Sequence, residues 1–353
     1  MPIRSLSLHH VRSYKLATFA FDPNVTLILG PNGSGKTSLL EAIYLVQRGS
    51  SFRGRDRDVI AHASKRSIIK LESDEGERRV QLELTDDKIK KEFSVDGKSS
   101  QRLPARYRRP VVLFEPDELR LLSSSPQRRR TFIDDILSRL YPDYATALSR
   151  FGRTLLQRNE LLKQHESMSS SSWESHLFAW DVKFAELADI IMRHRREFIT
   201  TSNERLTGLY SEIADTKHDI SVNYSDTSHG EQYKQLLLAK LQSGRQLDAL
   251  RGFTGHGPHR DDFAISLDNY PALETASRGE MRTIMLAYKL LEVALQEELA
   301  GSRPLILMDD VFSELDITRE QHLMKALKGY QTVITATDLR KELKIDATVV
   351  SLT

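Results

Sequence analysis

The chain has 353 residues, room for about two domains, and its 39% apolar and 28% charged content is ordinary for a globular protein with an ample core. Cysteine is absent, which excludes disulfides, thiolate metal sites and cysteine nucleophiles and fits a reducing compartment. No apolar run is long enough to span a membrane and the N-terminus has no signal-peptide pattern, so a cytoplasmic setting is expected; 51 Lys and Arg against 49 Asp and Glu leave nucleic-acid binding to be argued from local clusters.

Residues 3–8 alternate apolar and polar side chains, as a half-buried strand does, and residues 18–21 run to the turn Asp22-Pro23-Asn24. The apolar run Val25-Thr26-Leu27-Ile28-Leu29 then feeds Gly30-Pro31-Asn32-Gly33-Ser34-Gly35-Lys36-Thr37-Ser38, and residues 39–46 continue with helical apolar spacing. Strand, glycine loop and helix form the context in which G-x-x-x-x-G-K-[ST] is a phosphate site. The glycines let backbone N–H groups close on a polyphosphate, and the helix adds its positive dipole end. Lys36 supplies a point charge for the β- and γ-phosphates, and the Thr37 hydroxyl can bind Mg²⁺. The nucleotide-binding set is therefore Gly30, Asn32, Gly33, Ser34, Gly35, Lys36, Thr37 and Ser38.

A charged loop without periodicity follows at 51–57. Strand-like runs at 68–71, 79–84 and 91–95, the last ending in the hairpin signal Asp96-Gly97, predict an antiparallel layer beside the loop strand. Val111-Val112-Leu113-Phe114 reads as a buried parallel strand.

Beyond Glu115-Pro116-Asp117 the pattern turns helical. Ser125-Pro126 reads as N-cap plus Pro at the first helical position, and Phe132, Ile133, Ile136, Leu137 and Leu140 mark one face. A second helix carries Leu148, Phe151, Leu155 and Leu162. In a third, Trp173, Leu177, Trp180, Phe184, Leu187, Ile191, His194 and Phe198 step by four and three alternately, an a/d seam. The serine-rich turn at 167–172 folds these last two into an antiparallel hairpin, about 143–210, whose second arm reaches at most roughly 55 Å. His194 is read as a core histidine rather than a ligand. Residues 233–250 predict one more helix, broken at 252–258. His259-Arg260-Asp261-Asp262 before a strand at 263–267 is either a polar clamp beside the nucleotide or a solvated turn.

Pro304-Leu305-Ile306-Leu307-Met308-Asp309-Asp310 is an apolar strand ending in two carboxylates, which belong at the sheet edge where the lysine loop sits. Asp309 is placed to bind Mg²⁺ and Asp310 to orient or deprotonate an attacking water. Upstream, Ser277-Arg278-Gly279-Glu280 opens a long helix from about Met281 to Leu299, making Ser277 and Gly279 a second anion site. Downstream, Ser313-Glu314-Leu315-Asp316 follows the carboxylates directly.

This order of motifs resembles the ABC-type ATPases. The likeness narrows to the RecF family, related to SMC and Rad50 heads, through Val11-Arg12-Ser13-Tyr14, Lys36-Thr37-Ser38-Leu39-Leu40-Glu41-Ala42-Ile43-Tyr44, Ser51-Phe52-Arg53, residues 114–119, 126–134 and 257–262, and Ile334-Thr335-Ala336-Thr337-Asp338. The resemblance implies an α/β ABC-type head: a mixed-sheet P-loop core with an antiparallel layer (1–115 and 300–353), and a mainly helical arm and signature lobe (116–299). It implies ATP and Mg²⁺ as cofactors and an ATP-dependent homodimer in which the Ser277–Gly279 turn faces the γ-phosphate of a partner subunit. It also implies sequence-independent binding of double-stranded DNA, and RecR and RecO as partners in loading RecA. The other readings are a structural SMC-like head and the motor subunit of an ABC transporter; the arginine runs and long helical insertion fit the latter poorly.

Ala276, Arg278, Glu280 and Arg282 stand where many ABC proteins have Leu, Gly, Gln and another residue, Asp310 is one methylene shorter than the usual Glu, and Thr337 takes the place of a switch histidine. A misplacement of about 1 Å costs on the order of 10²-fold, so hydrolysis slower than about 10 s⁻¹ is expected. Three basic runs are candidates for DNA phosphates or for ion-paired helix faces: Arg102, Arg106, Arg108 and Arg109; Arg128-Arg129-Arg130; and Arg193, Arg195 and Arg196.

Overall fold

Along residues 66–73, 76–85 and 88–95 buried and more exposed side chains alternate, which puts one face of each strand in the core and the other toward water. The computed structural model describes residues 2–86, 88–116, 118, 125–225, 232–338 and 347–352. The chain runs through β1 (Ile3–Val11), β2 (Tyr14–Ala20), β3 (Val25–Leu29), α1 (Lys36–Arg48), α2 (Asp56–Val59), β4 (Arg66–Ser73), β5 (Gly76–Thr85), β6 (Lys88–Val95), β7 (Lys98–Ser100) and β8 (Val111–Phe114). Next come α3 (Pro126–Leu140), α4 (Pro142–Lys163), α5 (Ser170–Ala214), β9 (Ile220–Ser225), α6 (Tyr233–Ser243), α7 (Arg245–Arg251), β10 (Asp262–Leu267), β11 (Tyr270–Pro271), α8 (Ala272–Thr275) and α9 (Arg278–Ala300). The remaining described elements are β12 (Leu305–Asp309), α10 (Ile317–Ala326), β13 (Thr332–Ala336) and β14 (Thr348–Ser351). Asp117 and Leu119 of the 114–119 motif lie outside the described residues.

The chain divides into two units, one of Met1–Leu119, Glu212–Asp215 and Lys289–Thr353, the other of Arg120–Ser211 and Thr216–Tyr288. The first holds a six-stranded antiparallel sheet, β2-β1-β4-β5-β6-β7, and a five-stranded sheet, β14-β3-β13-β12-β8, whose pairs are all parallel. Helix α1 packs against strands of both sheets, so its apolar residues lie all round rather than on one stripe. Leu39, Leu40, Ile43 and Leu45 sit fully buried in one core with Ile3, Leu6 and Leu71 from the antiparallel sheet and Ile28, Leu307 and Val333 from the parallel one. Each such side chain contributes about 1.5–3 kcal/mol. The parallel strands read as unbroken apolar runs for the same reason: all four residues of β8 and all five of β13 are buried.

In the second unit Trp173 Nε1 donates to the Leu161 carbonyl at 2.9 Å, while His194 sits 2.9 Å from Asp143, so α4 and α5 run antiparallel. The seam is buried from Trp173 to Phe198 except at Trp180 and His194, which are half-buried. His194 packs on Tyr141 and Tyr144, a histidine at the edge of the seam hydrogen-bonded to Asp143.

Several expectations need correction. The helix expected over 233–250 is two, because the chain turns at Gly244, where a Cβ would lie 3.1 Å from the Lys240 carbonyl. Ser125 occupies the N-cap position of α3 but its side chain makes no cap bond. Helix α2 lies at the end of the stretch read as a charged loop, and β9 and β14 were not anticipated; their apolar runs are too short for periodicity to register.

Rather than forming a solvated turn, His259-Arg260-Asp261-Asp262 is tied down by contacts within the second unit. Arg129 clasps Asp262 at 3.0 and 2.5 Å, Arg130 donates to the Asp261 carbonyl, and Tyr224 donates to the Asp261 carboxylate at 2.7 Å. His259 donates Nε2–H to the Thr254 carbonyl at 3.1 Å, while its buried Nδ1 has no partner among the described residues. Burial, with Arg260, Arg130 and Arg158 nearby, pushes its pKa down to about 4. A depressed histidine stabilises the fold fully above the unfolded value of about 6.5, and that contribution is lost as pH falls toward 4. The shift corresponds to about 3 kcal/mol at most. His259→Gln, which keeps the donor, should flatten the fall in Tm between pH 6.5 and 4 relative to the parent; equal slopes would contradict this.

Candidate functional site

The loop after β3 is fixed by backbone conformation. Gly33 and Gly35 have φ of 85° and 99°, and a Cβ on Gly35 would lie 2.7 Å from the Tyr14 hydroxyl, so only glycine fits there. Helix α1 starts at Lys36 with no side-chain cap and no acidic residue in its first turn, which leaves its first N–H groups and positive dipole end facing the loop. Lys36 is buried, its Nζ donating to the carbonyls of Gly30 at 2.6 Å and Pro31 at 3.0 Å.

The parallel register brings the second half of the site alongside. Strand β12 pairs with β13, which pairs with β3, so the C-terminal end of β12 lies two strands from the loop. Thr37 Oγ1 donates to Asp309 Oδ1 at 3.0 Å, and Thr335 Oγ1 donates to the same oxygen at 2.8 Å. Asp310 has φ of 50°, a left-handed conformation that Asp tolerates better than most residues. Its N–H donates to the carbonyl and hydroxyl of Thr335, both at 3.1 Å, which holds the strained turn. Burial raises the Asp310 carboxyl pKa above the usual range; nearby Asp309 adds to the shift and Lys36 opposes it.

A cavity of about 550 Å³ is lined by Asn32, Gly33, Gly35, Lys36, Thr37, Ser38, Asp309 and Asp310, a volume suited to a small-molecule ligand. Gly30 and Ser34 do not line it: Gly30 supplies the carbonyl that holds Lys36, and Ser34 Oγ sits where a Cβ on Gly30 would intrude. Arg12, Arg53 and His62 line it too. Sequence reasoning gave these no role, although Arg12 and Arg53 fall in motifs that carried the resemblance. Arg12 pairs with buried Glu41 of α1 through two 2.8 Å contacts, and Ser51 donates to Glu41 at 2.5 Å.

Ser277 and Gly279 belong to the other unit and are not among the lining residues. There the Ser277 N–H donates to the Glu280 carboxylate at 2.7 Å and the Glu280 N–H donates to the Ser277 hydroxyl at 3.2 Å, a capping box at the start of α9. Thr337 is exposed after β13.

Two of the three arginine runs are largely engaged inside the protein. Arg129 and Arg130 hold Asp262 and Asp261; Arg195 is buried against Asp134, Tyr224 and the Pro258 carbonyl, and Arg193 lies 3.4 Å from Asp189.

A family model described as an AAA domain matches residues 5–251, well over half of the chain. DNA replication and repair protein RecF of Streptococcus equi subsp. zooepidemicus is 34% identical over 349 residues, covering 96% of this chain and 92% of the relative. The chain belongs to the RecF family. A solved RecF structure, described as the recombination mediator protein RecF-ATPrS in the RecFOR pathway, superposes with a TM-score of 0.85 at 28% identity, covering 98% of this chain and 94% of that one. An SMC head bound to the C-winged helix domain of ScpA shares the fold, with a TM-score of 0.51 at 16% identity, covering 99% of this chain and 94% of that one. The α/β ABC-type head read from the sequence is thus the fold of this RecF-family chain. No helix among the described residues is long and apolar enough to cross a membrane.

Proposed function

We propose that this RecF-family chain is a DNA-repair ATPase acting as a clamp: ATP held by the Lys36 loop of one copy is sealed by the Ser277–Gly279 turn of another, closing a homodimer on double-stranded DNA. RecR and RecO are its partners in loading RecA. Residues 1–115 and 300–353 serve as the ATPase core and 116–299 as the arm and signature lobe. The observation that carries this reading is the Thr37–Asp309 contact, a hydroxyl and a carboxylate oxygen 272 residues apart in sequence meeting at 3.0 Å beside a buried lysine. The RecF relatives and the RecF structure with ATPrS support it.

Thr37 and Asp309 are hard oxygen donors that fit Mg²⁺. When bound, Mg²⁺ neutralises charge on the β- and γ-phosphate oxygens. The Lys36 ammonium and the N–H groups of Gly33, Gly35, Thr37 and Ser38 hold the phosphates in place. Asp310 orients the attacking water and takes its proton as the water oxygen bonds to the γ-phosphorus and the β–γ bridging bond breaks, giving ADP and phosphate. Its raised pKa makes it a stronger base than an ordinary carboxylate. The shorter reach of Asp keeps turnover below about 10 s⁻¹.

A fluorescent ATP analogue titrated with Mg²⁺ tests the assignment. Lys36→Met should weaken binding at least about tenfold, one buried charge-assisted contact being worth about 1.5–3 kcal/mol; unchanged affinity would contradict it.

A further inference from the structure

A second cavity of about 690 Å³ opens in the first unit and shares no lining residue with the nucleotide cavity. Lys88, Lys90 and Lys91 of β6 line it together with Arg102 and Arg108 from the segment after β7. Asp56 is the lone carboxylate among the lining residues, and it is engaged by Lys91, whose Nζ lies 2.6 Å from it and 2.9 Å from the Gly49 carbonyl. Lys88, Lys90, Arg102 and Arg108 are exposed and form no ion pair or side-chain hydrogen bond among the described residues. Five cations against one carboxylate leave an excess of four positive charges facing one groove.

Held close without partners, like charges repel; a polyanion relieves that repulsion and releases its own counterions on binding. We infer that this groove takes the phosphodiester backbone of duplex DNA, outside the nucleotide site. Among its lining residues there is no aromatic side chain on which a base or a free nucleotide could stack, which favours a backbone contact over single strands. The contrast with the other arginine runs is physical: those around Arg129 and Arg195 are tied into ion pairs, whereas Arg102 and Arg108 are open. The inference rests on the duplex-DNA reading of the clamp and locates part of that contact.

The test is fluorescence anisotropy with a labelled mixed-sequence 30-base-pair duplex across a salt series, with ATP and Mg²⁺ present. It compares the parent, a groove variant (Lys88→Gln, Lys90→Gln, Arg102→Gln, Arg108→Gln) and a charge-matched control (Lys15→Gln, Lys65→Gln, Lys325→Gln, Lys328→Gln). Each lost phosphate contact lowers the log–log salt slope by about 0.9, so the groove variant should lose about 3 to 4 from the slope and at least about tenfold in affinity at low salt. The control should stay near the parent, and analogue-ATP affinity should be unchanged in all three. Equal slopes in parent and groove variant, or equal losses in groove variant and control, would overturn the inference. Tripolyphosphate bound by the parent and lost by the groove variant while duplex binding persists would also overturn it, assigning the groove to free polyphosphate. A parent that does not bind duplex at all would instead sink the clamp reading itself.

Discussion

Asp310→Asn should lower ATP turnover by at least about 100-fold while nucleotide affinity stays within about threefold, because the general base proposed at this position would contribute about 10²–10⁴-fold to rate and little to ground-state binding. Asparagine keeps the size and the tolerance of the left-handed backbone at this position, where φ is 50°, so the turn held by Thr335 survives. Stability points the same way. Burial raises the Asp310 pKa, so its contribution is present below the unfolded carboxylate value and lost as pH rises through the folded one. At pH 7 the charged form is therefore a cost, and asparagine removes it. Without nucleotide, the Tm of the variant at pH 7 should equal or exceed that of the parent, and the gain should vanish near pH 3. Phosphate release, measured with Mg-ATP and duplex DNA, reads the turnover. A loss below about fivefold would leave Asp310 no role in proton transfer.

Arg158→Met should destabilise the second unit by about 3–5 kcal/mol, the cost of leaving buried carboxylates without their counter-charge. The guanidinium is fully buried, with Nε 2.8 Å from Asp181 and Nη1 3.0 Å from Asp248 and 2.7 Å from the Thr254 hydroxyl. Asp248 in turn accepts from the Gly255 N–H at 3.0 Å, so the network ties α4, α5 and α7 to the loop before β10. Arg245, 3.2 Å from Asp181, can hold one of the two carboxylates, which sets the lower end of the range. Urea unfolding followed by circular dichroism measures the loss. Adding Asp181→Leu and Asp248→Leu to the methionine variant should recover most of it, since an apolar set of similar volume removes the buried charges altogether. A loss under about 1 kcal/mol for the single variant would show that the network contributes no more than a surface pair.

The lysine loop and the Asp309-Asp310 pair were legible in the sequence because each is a contiguous motif on a single strand end, where local pattern and chemistry coincide. Thr335 and Arg12 were not. Thr335 reaches Asp309 only through the register of β12 against β13, and Arg12 reaches Glu41 only because the β1–β2 turn lies against α1. The arginine runs show the same limit from the other side: Arg129, Arg195 and Arg102 look alike in sequence, and only the fold decides which meets a carboxylate. Helical periodicity located α3, α4 and α5 but not the break at Gly244, since apolar spacing continues across it from Leu241 to Ala249. Antiparallel strands with one buried face were read from their alternation, whereas β9 has only two fully buried positions and gave too little signal.

In the proposed clamp, ATP joins two copies through the lysine loop of one and the serine-glycine turn of the other. Sedimentation velocity of Asp310→Asn with Mg-ATP and duplex DNA, with and without Ser277→Arg, tests it most directly. Asp310→Asn should form an ATP-dependent dimer that reverts to monomer when Ser277→Arg is added, with the Lys36 site still binding nucleotide. Identical sedimentation with and without ATP, or a dimer unaffected by Ser277→Arg, would contradict it.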